Sequence, residues 1–462
     1  MNRNKKVIYV IGIEGAGTSA LALMYKKKNY IVLGSDNGDH FYGDILEKEN
    51  IKVFDKYNSG NIPGIVDKVI YSTSIKKDNP EFLEAKKRNF KIYSYPEAVA
   101  ELFNEKMGIA ICGTHGKTTT SAMLAYVLRE MNLDPNAIIG SKVKNWGSNA
   151  LVGGGDYFII EADEYQNKLK FYNPWSVILT SIDYDHPDFY KNFKEYKNAF
   201  VDFVRKIPKH GFLIYCNDDR DVLNVVEYGN CQKISYGFSE DSDYKISDLE
   251  VNNIQNGNFG QKFSVYHKND FIGEFETGLV GEHNALNASS VIAFCHKIKL
   301  DISEIKKIIK KFSGTVRRFE YIGERKGAIL IDDYAHHPKE IKEVLKTIKK
   351  IYSNKEIVVI FHPHSFSRTE LLMDEFSQSF SDASKVIVLD IYGSVREQMG
   401  KVNSSDLVRE INKHSLGEKA QYIPTIKNAL SFIQDNLNKN QVIISLGAGD
   451  VWKLTHSLVK NN

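Results

Sequence analysis

Short apolar runs separated by stretches of helical spacing recur along the whole chain. Val7 to Ile11, Ile31 to Leu33 and Val69 to Tyr71 mark the first part. Ile109 to Cys112, Tyr157 to Ile160 and Val177 to Leu179 mark the middle, and Ala328 to Ile331, Ile357 to Phe361, Val386 to Leu389 and Val442 to Ser445 the last third. Runs this short, and apolar throughout rather than alternating, read as strands buried on both faces. Their alternation with helices predicts an α/β protein with parallel sheets and crossover helices, and places any ligands at the strand ends. From about Phe212 to Thr277 the strand-like pieces shorten and Asn, Gly and Asp interrupt them, as between Val251 and Phe275, which predicts a small mixed or antiparallel insertion.

A chain of 462 residues is more than one core usually supports, so two to four domains of about 100 to 200 residues are expected. Hydrophobic residues make up 42% and charged residues 26%, with a formal net charge of +3, a balance that implies neither a nucleic-acid nor a membrane partner. Gly12 and Glu14 interrupt the first apolar run, which therefore reads as a strand and not as a secretory leader, and no run approaches the roughly 18 residues of a membrane span. Cys112, Cys216, Cys231 and Cys295 lie far apart without paired metal-ligand spacing. That fits buried thiols in a reducing cytoplasm.

The strongest chemical signal follows the run at Ile109. Gly113-Thr114-His115-Gly116-Lys117-Thr118-Thr119 breaks the strand, and Met123, Leu124, Val127, Leu128 and Met131 then fall at helical spacing. Backbone N–H groups of a glycine turn, the positive end of the next helix and the Lys117 ammonium can converge on a polyphosphate, while the Thr118 hydroxyl can hold Mg²⁺. The usual pattern has a further glycine where this chain has Ile111, so the loop is a shortened variant. It points to ATP or GTP chemistry.

Other strand ends add candidates. The first runs into Gly12-Ile-Glu-Gly15-Ala-Gly17 and the second into Ser35-Asp36, a dinucleotide-type or nucleotide-sugar-type turn whose carboxylate can reach a ribose; such turns also close corners that bind nothing. Ser72-Thr73-Ser74 can donate to phosphate or cap a helix. Glu161, at a strand end beside the phosphate loop, is the first expected metal ligand with Thr118. His186, between Asp185 and Pro187, is a second ligand or a loop histidine.

His283 and Asn287 are four apart and face the same way on a helix, where they suit an adenine edge, unless Asn284 simply caps that helix. The tandem Arg317 and Arg318 can meet a transferring phosphate or form a surface pair. The last four strands end in Asp332-Asp333-Tyr334-Ala-His336-His337-Pro338, in His362-Pro-His364-Ser-Phe-Ser-Arg368, in Asp390-Ile-Tyr392 and in Gly447-Ala-Gly449-Asp450, a plausible second wall of an active site.

Taken together and in order, Gly113-Thr-His-Gly-Lys-Thr-Thr-Thr, Val316-Arg-Arg-Phe-Glu320, Asp332-Asp-Tyr-Ala-His-His-Pro and Pro363-His-Ser-Phe-Ser-Arg-Thr resemble the Mur ligases across essentially the whole chain. The resemblance implies a three-domain, ATP-dependent amide synthetase of peptidoglycan precursor assembly. Residues 1–106 would form a Rossmann-like UDP-sugar domain, 107–314 a central P-loop ATPase-type domain with a small extra β region, and 315–462 a Rossmann-like amino-acid domain.

By this resemblance Gly113, Thr114, Gly116, Lys117, Thr118 and Thr119 hold ATP, Thr118 and Glu161 hold one Mg²⁺, and His186 joins Glu161 at a second. His283 and Asn287 would meet adenine, Asp333 the ribose and Arg318 the phosphates. Gly12, Gly15, Gly17, Ser35, Asp36, Ser72 and Thr73 would bind UDP. His115 falls on the substrate side, and Tyr334, His336 and Arg368 face the amino acid and acyl group, with His336 the candidate base.

Small-molecule substrates are implied, UDP-N-acetylmuramate and L-alanine, joined through an acyl phosphate; monomer and homodimer both remain open. Thr18 and Ser181 stand where the family commonly has methionine and asparagine. The Glu161 to Pro174 segment starts like the related ligase for a recycled murein tripeptide, which makes that amine the main alternative. A nicotinamide oxidoreductase would explain only the first glycine turn, and a nonenzymatic nucleotide-binding protein would not need Tyr334, His336 and Arg368.

Overall fold

The computed structural model describes residues 5–38, 41–252, 259–393, 400–415 and 417–460. Three sheets succeed one another along the chain. The first has five parallel strands in the order Lys52–Phe54, Ile31–Ser35, Val7–Ile11, Lys68–Tyr71, Ile92–Ser94. Val7–Ile11 lies in the middle, and its residues from Ile8 onward have no exposed surface, as an uninterrupted apolar run requires.

The second sheet has ten strands. Its parallel body runs Gln232–Gly237, Phe212–Cys216, Ser176–Leu179, Met107–Cys112, Tyr157–Glu161, Asn136–Val143. The phosphate-loop strand thus sits between the two strands ending in Glu161 and Thr180. The β region expected after Phe212 is mixed: two strands extend the parallel body, and Tyr244–Asn252, Gly260–His267 and Asp270–Thr277 continue the same sheet, the last two antiparallel to their neighbours. The third sheet has six strands, parallel except for Glu320–Arg325, with Gln441–Leu446 between Ala328–Asp333 and Glu356–Phe361.

Helix Lys117–Glu130 is buried from Thr118 to Leu128 because it lies under the second sheet and is covered by helices Glu282–Lys297 and Ile302–Lys311. Helix Pro338–Ile351 follows simpler rules. His337 caps it, proline occupies its first turn, Ile341, Val344, Leu345 and Ile348 bury one face, and Lys349 and Lys350 close it at the negative end of the dipole.

Sheet one packs on sheet two through helix Ala16–Lys27, where Asn149 Nδ2 donates to the Ala16 carbonyl at 2.6 Å and to Ser19 Oγ at 2.9 Å. Between sheets two and three, the Gly314 to Val316 segment pairs with Asn136–Val143 as a short extra strand. Among the described residues no helix is long and apolar enough to cross a membrane. All four cysteines are free thiols, three of them buried.

Candidate active site

Strand Met107–Cys112 ends at Gly113 (φ +125°), and helix Lys117–Glu130 starts after Gly116 (φ +80°). A Cβ at Gly113 would stand 2.3 Å from Thr180 Oγ1, and one at Gly116 would stand 2.5 Å from Asn287 Oδ1. Only glycine fits both the torsions and the space. The helix start has no side-chain cap, leaving its first N–H groups to point at an anion. Lys117 Nζ bonds the Gly113 carbonyl, the Thr114 carbonyl at 3.0 Å and Glu164 Oε2 at 3.1 Å. Burial opposes its charge, but Glu164, Asp163 and Glu161 outweigh that and keep it protonated.

Two sets of hard donors flank the loop. Thr118 Oγ1 donates to Glu161 Oε1 at 2.9 Å. Asp163, Glu164 and His186 bring ligand atoms within 4.8 Å of one another. The carboxylates nearest His186 are Asp185 at 3.7 Å and Glu164 at 3.8 Å. His186 thus stands beside Glu164 and Asp163, and its sharing of a second Mg²⁺ with Glu161 is a proposal. Glu164, only 1% exposed, was missed as a site residue although it stands three residues from Glu161.

A cavity of about 250 Å³ opens beside the loop, lined by Thr119, His283, Asn287, Arg318, Asp333 and Glu340 among others. His283 Nδ1 is buried without a protein partner among the described residues, and burial drops this imidazole to about pH 4, so it is neutral there. The ring as a whole lines the cleft, while Nδ1 itself is turned toward Gly281. Asn287 accepts from Thr120 Oγ1 at 3.1 Å, and Asn284, which lies inside the first turn and does not cap the helix, accepts from the Asn287 amide at 3.2 Å. Asp333 accepts the N–H groups of Phe319 at 2.6 Å and Ala335 at 2.7 Å, and burial raises it to about 6 against the Arg318 charge.

A second cavity, about 320 Å³, lies where the three sheets meet and is lined by Ala16, Tyr42, Glu161, Tyr334, Gly449 and Trp452, among others. Thr118 and Arg318 line both cavities. The tandem arginines divide the work: Arg318 faces both spaces, while Arg317 is buried, pairs with Asp332 at 3.1 Å and donates to the carbonyls of Gly447 and Gly449. Both guanidinium groups lie over the Tyr334 ring, at 5.2 and 5.0 Å. Arg368 is buried and paired through two nitrogens with Asp185 at 2.8 and 3.2 Å, a pairing invisible to sequence because 183 residues separate them.

His336 Nδ1 lies 3.0 Å from the Tyr334 carbonyl, which can only accept, so Nδ1 carries the hydrogen and Nε2 the lone pair. Burial lowers this imidazole to about 4 despite the Glu340 charge.

In the first sheet, Gly12 (φ +77°) makes the turn and its carbonyl accepts Thr18 Oγ1 at 2.6 Å. Ser72 packs against Gly12, and its hydroxyl meets Ser74 at 2.9 Å; Thr73 lies between them. Three of the residues expected at UDP also have structural partners. The Ser35 hydroxyl is fully buried and donates to Glu81, so it supports the sheet from within. Asp36 accepts the N–H groups of Glu14 at 2.8 Å, Asn37 at 2.8 Å and Gly38 at 3.1 Å, which makes it the organiser of the turn. Gly17 is required by packing, since a Cβ there would sit 2.3 Å from Tyr95 Cζ.

Three family profiles cover this architecture: the Mur ligase family catalytic domain over residues 7–107, the Mur ligase middle domain over 111–295 and the Mur ligase glutamate ligase domain over 317–449. The UDP-N-acetylmuramate–L-alanine ligase of Carboxydothermus hydrogenoformans is 34% identical over 457 residues, which are 99% of this chain and 97% of that protein. That of Clostridium kluyveri is 37% identical over 454 residues, 98% of this chain and 97% of that one. The chain belongs to the Mur ligase family.

Among solved structures, the UDP-N-acetylmuramate–alanine ligase of Thermotoga maritima superposes with a TM-score of 0.82 at 25% identity over 98% of each chain. A murein peptide ligase from Psychrobacter arcticus follows the same fold with a TM-score of 0.74 at 22% identity, again over 98% of each chain. In this Mur ligase the three profiles coincide in order with the three sheets; the first cavity lies between the second and third sheets, and the second where all three meet.

Proposed function

We infer that this Mur ligase uses ATP to join L-alanine to the lactyl carboxylate of UDP-N-acetylmuramate, in peptidoglycan precursor synthesis. The observation that carries this reading is the meeting of two cavities at Thr118 and Arg318, one suited to a nucleotide and one open to all three sheets. The identity of the substrates rests on the full-length relatives, which are named for that reaction. The likeness to murein peptide ligases is one of fold, and the tripeptide reading is set aside.

A carboxylate resists attack by an amine because oxide is a hopeless leaving group. Transfer of the γ-phosphoryl group to the lactyl carboxylate gives an acyl phosphate, whose carbonyl the amine of alanine attacks, expelling phosphate. Lys117 and Arg318 offset the negative charge gathered during transfer. Thr118 with Glu161, and Asp163 with Glu164 and His186, are oxygen-rich sets that fit Mg²⁺, which would supply further charge neutralisation.

His336 is the proposed base, with Nε2 as its free acceptor and its neutral form dominant near neutral pH. The negative charge of an acyl phosphate raises its proton affinity when it is needed. His283 and Asn287 are assigned to adenine, Asp333 to ribose, Gly12, Gly15, Ser72 and Thr73 to the UDP end, and Tyr334 and Arg368 to the amine end. The domains are assigned as 1–106, 107–314 and 315–462, and the work to the cytoplasm, where ATP and free thiols belong.

The test is ADP release with UDP-N-acetylmuramate when alanine, glycine, serine and the recycled tripeptide are offered in parallel. Alanine should give the highest kcat/KM; preference for the tripeptide would contradict the reading. His336→Ala should lower kcat by about 10² to 10⁴-fold and alter its pH profile, and an unchanged profile would move the base elsewhere.

A further inference from the structure

A part-buried ion group on the wall of the first cavity bridges the phosphate loop and the C-terminal sheet. His115, at the tip of the loop, places Nδ1 3.1 Å from Glu340 Oε1 and Nε2 3.0 Å from Asp183 Oδ2. Asp183 comes from the segment after strand Ser176–Leu179 and is also paired with Lys339. Glu340 and Lys339 stand in the first turn of helix Pro338–Ile351. The second Glu340 oxygen accepts the N–H of His336 at 3.1 Å and of His337 at 3.4 Å. One carboxylate therefore touches both the loop suited to ATP phosphates and the backbone of the proposed base.

We propose that Glu340 is a positioning residue that, through His115, locks the phosphate loop to the Tyr334 to His337 loop, so that the activated acyl group and the amine meet only when central and C-terminal sheets are docked. This rests on the ligase reading above. The charges agree with the geometry: burial alone would depress His115, but bonds to Asp183 and Glu340 lift it to about 9, so it is an imidazolium at neutral pH. Burial would raise Glu340, but the His336 and His115 rings and Arg318 hold it well below the usual carboxylate range. The His337 ring, 4.8 Å from that of His115, completes the set of groups facing the pair.

Loosening this clamp should leave phosphoryl transfer possible and spoil the second step. Water then replaces the amine: its oxygen bonds the acyl carbon, the acyl–phosphate C–O bond breaks with its electron pair leaving on phosphate, one proton goes to phosphate and one to solvent. ATP is then consumed, and ADP and phosphate are released, without amide.

The experiment compares Glu340→Gln, His115→Asn and the double variant with the full-length wild type, reading ADP released per amide formed, kcat, and the radius of gyration by X-ray scattering with a nonhydrolysable ATP analogue. Each single variant should lose about tenfold in kcat, raise the ADP-to-amide ratio severalfold and expand the particle, and the double variant should match the worse single within about twofold. Losses that multiply, an unchanged ratio and unchanged scattering would overturn the clamp. If Glu340→Gln does not fold, His115→Asn carries the same readouts. A wild type that forms no amide with alanine would sink the ligase reading alone, since scattering of the ATP-loaded variants still judges the clamp.

Discussion

At the scale of single residues, the phosphate loop concentrates the chemistry. The Lys117 ammonium has three acceptors, two carbonyls and Glu164. Lys117→Ala should lower kcat by about 10³-fold or more, several kcal/mol of transition-state stabilisation, and, because it leaves Glu164 buried without its cation, should also lower the melting temperature; near-normal turnover would contradict its role. Gly116→Ala combines a φ of +80° with a Cβ 2.5 Å from Asn287 Oδ1. It should cost about 1 to 3 kcal/mol in denaturant unfolding and weaken ATP binding measured by calorimetry. The loop was legible because glycine, lysine and threonine act there within seven consecutive positions. Ser35 was not, since what occupies its hydroxyl is Glu81, 46 residues away, and Asp36 looked free only because backbone donors leave no trace in a sequence.

Among elements, the joint between the second and third sheets carries the most conformational constraint. Gly314, Arg317 and Phe319 all have left-handed backbone, with φ of +80°, +63° and +45°. The two non-glycine residues tolerate it because the Arg317 side chain is anchored on Asp332 and on strand-end carbonyls, while the Phe319 N–H is held by Asp333. Arg317→Met leaves Asp332 buried without its cation and should cost about 3 to 5 kcal/mol in thermal or denaturant unfolding; a loss under about 1 kcal/mol would mean that the pair does not anchor the joint.

The docking of helix Pro338–Ile351 should depend on pH. His115 titrates near 6.5 when unfolded and about 9 when folded, so its contribution is full below pH 6.5 and is lost as pH rises through 9. Wild-type melting temperature should fall across that window more steeply than that of His115→Asn, and parallel curves would show that His115 gains nothing from its partners. Strands such as Ala328–Asp333 and Glu356–Phe361 were readable because full burial gives unbroken apolar runs. The antiparallel edge after Phe212 was recognised as β, but not as part of the main sheet, because strand order depends on partners distant in sequence.

For the whole molecule, the sheets converge so that two clefts share Thr118 and Arg318. The order of motifs along the chain made the family recognisable, whereas the pairings between its second and third sheet regions, His115 with Glu340, Lys339 with Asp183 and Arg368 with Asp185, cross 225, 156 and 183 residues and become visible only in three dimensions. The same convergence makes the chemistry testable atom by atom. If the lactyl carboxylate of UDP-N-acetylmuramate carries ¹⁸O and the enzyme is supplied with ATP and L-alanine, the account predicts one ¹⁸O in each phosphate released per amide formed. Amide formation accompanied by unlabelled phosphate would contradict it.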